Sequence, residues 1–301
     1  MQYEEIPFNH YLKDGEETLI RYEESCDWLE SLGFNYKASR YNQYKDSIDN
    51  LSNVLEGSPS DSDLEKSFHA YLNAYAEAID LIRVKSAMDG ADFDSFKDRL
   101  KKVVSGSAFR NSSMKDQSRN FLFELNIAAR FISGGYEVDL NHKADLVTFV
   151  GDTKLYVECK RIRSINKVSS NIKKANSQIL NRLKNDKSSK SRGMIAINVN
   201  DILNPDNDMV VTESVEDLHR LNSEHLNQFV EFHEDKLKPK ESKKTIGVFC
   251  EYINQAMVNE KDEIKACNCR GGKLYQYREG GINEKLVREI AQNIANQQPW
   301  N

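Results

Sequence analysis

Apolar residues recur at helical spacing through roughly the first hundred residues of the chain. This periodicity predicts four amphipathic helices, at residues 18–32, 39–55, 63–88 and 92–104. The first ends before Gly33, and the run Glu56-Gly57-Ser58-Pro59-Ser60 is typical of a turn or short linker after the second. We therefore expect residues 1–110 to form a helical domain.

The pattern changes beyond the stretch at residues 105–113, which is rich in serine and small residues. Periods of about 3.6 and of 2 then predict helix, three strands, helix and strand, at Gln117–Ser133, Tyr136–Leu140, Leu146–Val150, Leu155–Lys160, Val168–Asn185 and Gly193–Val199. The remaining predicted elements are a helix at 215–236, a strand at Thr245–Tyr252, a hairpin around Arg270-Gly271-Gly272 and a last helix at 283–297. This order predicts a second domain over residues 111–301, of the α/β class with a mixed α+β sheet.

Candidate chemistry lies on the hairpin that Gly151-Asp152 is expected to close. Side chains on a strand alternate between the two faces, so Glu158 and Lys160 share one face while the apolar residues around them pack on the other. An antiparallel partner strand returns Asp145 to the same end of the hairpin. The sequence therefore predicts that two carboxylates and a lysine converge.

Such a trio suits the hydrolysis of a phosphodiester bond. Carboxylate oxygens bind Mg²⁺ (or Mn²⁺), which keeps part of its water shell and also binds phosphate. The metal polarises the phosphoryl oxygens, and a nearby lysine orients or helps to deprotonate the attacking water. In this interpretation Asp145 and Glu158 are metal ligands and Lys160 serves the nucleophile. The alternative is a solvated face of charged residues, which many strands carry.

Glu124 adds a third carboxylate to the candidate set. It lies on the helix predicted at residues 117–133 and is flanked at helical spacing by apolar residues. A carboxylate on a packed face costs several kcal/mol unless it is paired or binds a metal. We therefore expect Glu124 to have a cation as its partner.

Charge is distributed unevenly along the chain. The formal net charge is −5, yet residues 154–192 carry a net charge of +10 and residues 1–110 a net charge of −8. A basic segment next to the candidate hairpin predicts a nucleic-acid interface, with Arg161, Arg163, Lys173 and Lys174 as contacts to phosphate. The alternative is a solvated lysine-rich helix with flexible flanks, because runs of charged residues usually form a solvated surface.

Composition limits the class of protein. Hydrophobic residues make up 39% and charged residues 30% of the chain, and no apolar run approaches the length needed to span a bilayer, so we expect no membrane partner. The acidic N-terminal residues lack the apolar core of a secretory signal. Five cysteines without a CxxC pair suit a reducing compartment. Together these features predict a cytoplasmic protein.

The chain resembles the PD-(D/E)XK nuclease superfamily, which has the restriction-endonuclease-like fold. The resemblance rests on a helix with Glu124, the Gly134-Gly135 turn, a strand, Ala144-Asp145, and then Glu158-Cys159-Lys160 after a thirteen-residue step. It covers roughly residues 115–200. The chain departs from the family at Ala144, where the proline of the name is expected, and members of the superfamily vary there.

The resemblance implies roles for individual residues. Asp145 and Glu158 would be Mg²⁺ ligands, Lys160 the catalytic lysine and Glu124 the supporting acid of the first helix. Gln178 lies where many members have a glutamine or a basic residue on the helix after the hairpin, so it would join the nucleic-acid contacts. The activity implied is that of a metal-dependent endonuclease acting on DNA, with RNA left open.

The resemblance also implies a biological setting. Members often act in restriction or antiviral defence, sometimes beside a separate NTPase or helicase, and the acidic N-terminal domain could be where a protein partner docks. A homodimer would supply one active site for each strand of a duplex. Two alternatives remain open at this point. One is a catalytically silent nucleic-acid-binding or sensor protein that keeps the nuclease fold, and the other is a helical interaction protein whose charged triplet is accidental.

Overall fold

The computed structural model describes residues 1–3, 11, 15–108, 116–141, 144–239, 243–260, 263–295, 297–298 and 300. The chain divides into two compact units, one of Tyr11–Ala129 with Gln298–Asn301 and one of Met1–His10 with Arg130–Gln297. We call them the helical unit and the α/β unit. The predicted domain boundary near residue 110 adjoins residues 109–115, which lie outside the described part, and it stays a prediction.

The described residues of the helical unit form four α-helices and most of a fifth. They are α1 (Gly15–Ser31), α2 (Arg40–Glu56), α3 (Asp61–Met88), α4 (Lys97–Val104) and α5 (Gln117–Ser133), the last of which continues into the α/β unit. Serines at two helix starts explain where the chain turns helical: the side chain of Ser39 accepts a hydrogen bond from the backbone N–H of Tyr41, and that of Ser60 accepts one from Asp63. The four helices predicted in this region are confirmed.

The core of the helical unit contains charge as well as apolar side chains. The Arg40 side chain is fully buried and pairs with Glu77, which also accepts a hydrogen bond from Arg119. Burying such charges is expensive unless each one is paired, so these side chains fix the packing of α2, α3 and α5 around them. Tyr41 and Tyr44 are buried beside them and are therefore core residues.

The α/β unit is built on a mixed sheet. Among the described residues its strands are β1 (Gln2–Tyr3), β2 (Val138–Asp139), β3 (Leu146–Val150), β4 (Thr153–Arg161), β5 (Arg192–Asn198), β6 (Val210–Thr212), β7 (Thr245–Glu260) and β8 (Glu263–Gln276). The order across the sheet is β1-β8-β7-β5-β4-β3-β2, and β6 pairs with the distal part of β7. Four further helices are α6 (Val168–Asp186), α7 (Asn200–Leu203), α8 (Val215–Leu237) and α9 (Gly281–Ile294). The predicted α/β class with a mixed sheet is confirmed.

The strands on either side of the crossover helix α6 are parallel. Strands β4 and β5 are joined by α6 and run parallel, β5 and β7 are also parallel, and β3 is antiparallel to β4. The inner side of α6 packs Ile172 and Ile179 against Tyr156 and Ile195 of the sheet. Gly193 makes this approach close, because a Cβ there would lie 2.1 Å from Cγ2 of Ile179.

One predicted turn is wrong. Arg270-Gly271-Gly272 lies inside β8, which pairs with β7 along its whole length, and the two strands are joined near residues 261–262. The glycines serve packing instead of a turn. A Cβ on Gly272 would lie 2.5 Å from the Phe249 ring, and one on Gly271 would lie 2.9 Å from the Asn222 amide of α8.

Other differences concern the ends of elements. The strand predicted at Tyr136–Leu140 is only the two-residue β2, and β7 extends to Glu260, beyond the predicted end at Tyr252. The last helix ends at Ile294. Within the described residues, none of the helices is long and apolar enough to cross a bilayer.

Candidate functional site

The candidate site forms where β3 and β4 diverge from their shared hairpin. Leu146 pairs with Val157, so Asp145, one residue earlier, lies beside the position of Glu158. Glu158 and Lys160 share with Tyr156 the face of β4 that α6 covers. Their face of the sheet is therefore packed, and the interpretation of these residues as a solvated strand face is wrong.

The structure brings Asp145, Glu158 and Lys160 together. Lys160 Nζ lies 3.3 Å from Asp145 Oδ2 and 3.6 Å from Glu158 Oε2. Asp145 Oδ2 also accepts a hydrogen bond of 2.6 Å from the backbone N–H of Cys159. This backbone contact ties the aspartate to β4, because it fixes the carboxylate relative to the strand that carries the other two groups.

Glu158 is the most constrained of the three. Its side chain has no exposed surface, and neither carboxylate oxygen accepts a hydrogen bond. Burial raises the pKa of Glu158 to about 7, and the neighbouring Asp145 carboxylate adds to the effect. The cations of Lys160 and Arg182 act in the opposite direction without cancelling it. A carboxylate in this state gains a large free energy from any additional cation.

Lys160 remains an ammonium at neutral pH. Burial alone would lower the pKa of Lys160, yet Asp145 and Glu158 outweigh burial and raise it above its ordinary value. Its side chain is 16% exposed, so part of it reaches solvent. The arrangement therefore makes Lys160 a hydrogen-bond donor and a positive charge, which suits it to orient a water molecule more than to deprotonate one.

Helix α6 adds two polar side chains over the same face. The amide oxygen of Gln178 is buried and accepts no hydrogen bond. One turn later, Arg182 Nη2 lies 3.8 Å from Glu158 Oε1. Arg182 is a functional candidate that the sequence pattern alone did not indicate. Its spacing of four residues from Gln178 was the available signal, since residues i and i+4 lie on one side of a helix.

Glu124 lies in the helical unit, on α5. Its Oε2 accepts a hydrogen bond of 3.3 Å from Arg99 Nε on α4, and both side chains are largely buried, at 13% and 17% exposure. Arg99 supplies a cation of the kind that the sequence led us to expect. The assignment of Glu124 as a metal ligand and supporting acid stays a prediction.

The predicted contacts to phosphate have different surroundings. Lys173 and Lys174 are exposed on the outer side of α6. Arg163 is half-buried beyond the end of β4. Arg161 is 8% exposed in its side chain and pairs with Asp201 of α7 at 2.9 Å. The two lysines are therefore the most accessible of the four, whereas a phosphate at Arg161 would compete with Asp201.

The donor set fits a hard divalent cation. Within the described ranges, no three histidine, cysteine, aspartate or glutamate side chains are grouped so that they could hold a metal. Mg²⁺ needs fewer protein ligands, because it binds through one or two carboxylates together with water and phosphate. Both carboxylate oxygens of Glu158, which shares Lys160 with Asp145, are buried without hydrogen-bond donors, and so is the amide oxygen of Gln178 on α6. Oxygen atoms of this kind are the ligands that Mg²⁺ and Mn²⁺ prefer.

Comparison with known proteins does not assign the chain to a family. No protein-family model matches the sequence, and no curated protein matches it. The case for a function therefore rests on the residues and the geometry of the α/β unit.

Proposed function

We propose that the chain is a metal-dependent endonuclease that hydrolyses phosphodiester bonds in DNA. The observation that carries the proposal is Glu158: a fully buried carboxylate with no hydrogen-bond donor, which shares the Lys160 ammonium with a second carboxylate, Asp145. A protein that only binds nucleic acid gains nothing from two carboxylates near a phosphate, because they repel it. A hydrolase needs them to hold a cation.

The order of elements supports a restriction-endonuclease-like core of the PD-(D/E)XK type over residues 115–200. The order of elements along the chain matches the order predicted for this region from the sequence. It is α5, β2, β3, β4, α6 and β5. The candidate residues lie on the central part of this core, on β4 and at the start of β3. A rigid sheet is a suitable support, since catalytic groups must be held to within a fraction of an ångström.

Each residue has a distinct part in the proposed reaction. Asp145 and Glu158 would hold Mg²⁺ or Mn²⁺, with the Gln178 amide oxygen next to them. When bound, the metal polarises the phosphoryl oxygens and lowers the pKa of a bound water. The ammonium of Lys160 orients the attacking water and balances the negative charge that develops on the phosphate. Arg182 stabilises the ionised form of Glu158, which is the form that binds a cation.

Substrate binding would use the outer side of α6. Lys173 and Lys174 are the exposed cations there, and Arg163 lies between them and the candidate site in sequence. Contacts of this type bind the phosphate backbone without reading the base sequence. A role in antiviral defence with an NTPase or helicase partner, and a homodimer that cuts both strands, are extensions of the same proposal.

A cleavage assay tests the proposal. Plasmid and single-stranded DNA would be incubated at low salt with Mg²⁺, Mn²⁺ or EDTA and with three proteins: the unmodified chain, Lys160→Ala and Lys154→Ala. Lys154 is the matched control, because it lies on the same face of β4 with its Nζ over the Tyr156 ring. We expect metal-dependent cuts that fall by a factor of about 10² or more in Lys160→Ala and persist in Lys154→Ala.

The same samples separate the alternatives. Cutting that continues in EDTA or in Lys160→Ala would contradict the assigned roles. A gel shift without cutting by the unmodified chain would favour the silent nucleic-acid-binding protein, and the absence of a shift on every substrate would contradict any nucleic-acid function.

A further inference from the structure

A second candidate site lies at the other end of the parallel strands. An open pocket of about 520 Å³ forms between the end of α6, the start of β5, the residues before β7 and the start of α9. Its lining residues are Lys187, Ser189, Arg192, Lys243, Lys244, Gly280, Ile282 and Asn283. We propose that this pocket binds a polyphosphate anion, namely inorganic triphosphate or the phosphate chain of a nucleoside triphosphate.

The lining of the pocket is cationic. Among the described residues that line the pocket, four carry a cation and none carries a carboxylate. Within the part of the chain that the structure describes, none of the four forms an ion pair, whereas the neighbouring Lys190 pairs with Asp152 at 2.7 Å. Three acids adjoin the lining residues in sequence. Asp186 accepts hydrogen bonds from the hydroxyls of Tyr156 and Ser191. Glu284 accepts one from the Gly280 N–H and pairs with Arg288, and Glu279 is exposed. Four unneutralised cations around one concave space repel each other, so an anion there is stabilised by all of them.

Neutral hydrogen bonds hold the pocket open. Arg192 Nε donates to Asn283 Oδ1 at 2.9 Å, and Lys244 Nζ donates to the carbonyl oxygen of Ser188 at 2.9 Å. Asn283 Nδ2 in turn donates to the carbonyl of Lys243 at 3.4 Å. Arg192 and Lys244 are thus positioned by carbonyl and amide oxygens, which leave their charge uncompensated. A site that is organised before the ligand arrives loses less entropy on binding.

Size and lining indicate the class of anion. The volume falls within the usual range of small-molecule pockets, roughly 300–1,000 Å³. A triphosphate carries a charge of about −4 near neutral pH, which matches the four cations, and arginine and lysine are the common partners of phosphoryl oxygens. Of the described lining residues none is aromatic, and Ile282 alone has an apolar side chain. The pocket is therefore suited to a phosphate chain and offers no stacking surface for a base.

The pocket is separate from the candidate active site. Arg192 pairs with Leu155 of β4, three residues before Glu158, which corresponds to roughly 10 Å along the strand. The proposal stands on its own lining and does not depend on nuclease activity. The phosphates of a nucleic-acid backbone could occupy the same pocket. The experiment therefore titrates both free polyphosphates and a DNA duplex.

Isothermal titration calorimetry in buffer without divalent cations tests the proposal. Sodium tripolyphosphate, ATP and a short DNA duplex would be titrated into the unmodified protein, into Lys187→Gln/Lys243→Gln and into Lys236→Gln/Lys238→Gln. The last is the matched control, because it removes the same charge from exposed lysines outside the pocket. We expect tripolyphosphate and ATP to bind with similar affinity, at least about tenfold more weakly in the pocket variant and within about twofold in the control.

The arms give distinct outcomes. Equal weakening in both variants, or no heat from tripolyphosphate, would overturn the proposal. Displacement of tripolyphosphate by the duplex, with duplex binding lost in the pocket variant, would support the site and identify nucleic-acid phosphate as its source. Duplex binding that persists in the pocket variant while tripolyphosphate binding is weakened would support two separate sites. Melting temperatures of all three proteins show whether the variants are folded, since exposed lysines contribute little to stability.

Discussion

At the scale of single residues, Glu158 should control how stability depends on pH. Burial raises its pKa from 4.5 to about 7, so between these values the folded protein binds a proton that the unfolded chain has released. The free energy of unfolding therefore falls as pH rises from about 4.5 to about 7, by on the order of 3 kcal/mol, and this contribution is constant above that range.

Glu158→Gln tests this expectation. The variant lacks the titrating group, so its stability relative to the unmodified protein should rise between pH 5 and pH 8. Urea unfolding of both proteins at several pH values measures the difference. Parallel profiles would show that Glu158 titrates normally, and that it is not the buried, donor-free carboxylate of the candidate site.

A divalent cation should offset the loss of stability that comes from burying the ionised Glu158 carboxylate. At pH 8, where Glu158 is ionised, Mg²⁺ held by Asp145 and Glu158 would stabilise the folded state by about 1.4 kcal/mol when its concentration is ten times its Kd. We expect the melting temperature to rise with Mg²⁺ in the unmodified protein and to stay constant in Glu158→Gln and in Asp145→Asn. The control is Asp152→Asn, an exposed turn residue of the same hairpin. An equal rise in all four proteins would indicate non-specific binding.

The convergence of Asp145, Glu158 and Lys160 could be foreseen because it depends on short-range rules. A strand alternates its faces, and a tight turn sets the register of its neighbour. The approach of Arg182 to Glu158 and the pairing of Glu124 with Arg99 could not be foreseen. Both depend on where a helix lies over its neighbours, and that position is set by packing between residues far apart in the sequence.

At the scale of elements, the α6 crossover depends on Gly193. Gly193→Ala would place a Cβ 2.1 Å from Ile179 Cγ2, so the helix or the strand must shift, at a cost of about 1–3 kcal/mol. Adding Ile179→Ala removes the overlapping atom, and the two substitutions should therefore be non-additive in chemical unfolding. Gly15→Ala is the control, because no atom of the described residues lies within 4 Å of a Cβ there. Additive effects of the pair would contradict the packing.

Periodicity predicted most helices and strands because each one has a distinct apolar face. It failed at Gly271-Gly272, since a glycine pair reads as a turn when its neighbours are unknown. The close approach of Phe249 and Asn222 explains the glycines only once β7 and α8 are in place. The long β7 was also cut short in the prediction, because its distal half pairs with β6, a three-residue strand with little pattern of its own.

At the scale of the whole molecule, the sequence does not indicate which of the two units each end of the chain belongs to. Strand β1 at the N-terminus pairs with β8, and the amino group of Met1 forms an ion pair with Glu234 of α8. Near the other end, Trp300 is buried and donates from Nε1 to Glu17 of α1 at 3.0 Å. Contacts between residues more than 200 positions apart carry no periodic signal, so a division of the sequence into consecutive segments could not predict them.

Long-range charge leads to a prediction about DNA binding. The formal charge of −5 combines +10 over residues 154–192 with an acidic remainder, so attraction to DNA must be local and is screened within about 10 Å at 0.1 M salt. Each contact to phosphate on duplex DNA contributes about −0.9 to the slope of log Kobs against log salt concentration. Lys173→Gln/Lys174→Gln should therefore make the slope shallower by about 2, as measured by fluorescence anisotropy from 25 to 200 mM salt. Lys236→Gln/Lys238→Gln, which removes two exposed lysines at the end of α8, should leave the slope unchanged, because this end lies outside the basic segment. Equal changes in both variants would mean that DNA responds to the net charge of the protein and that the basic segment has no special place in binding.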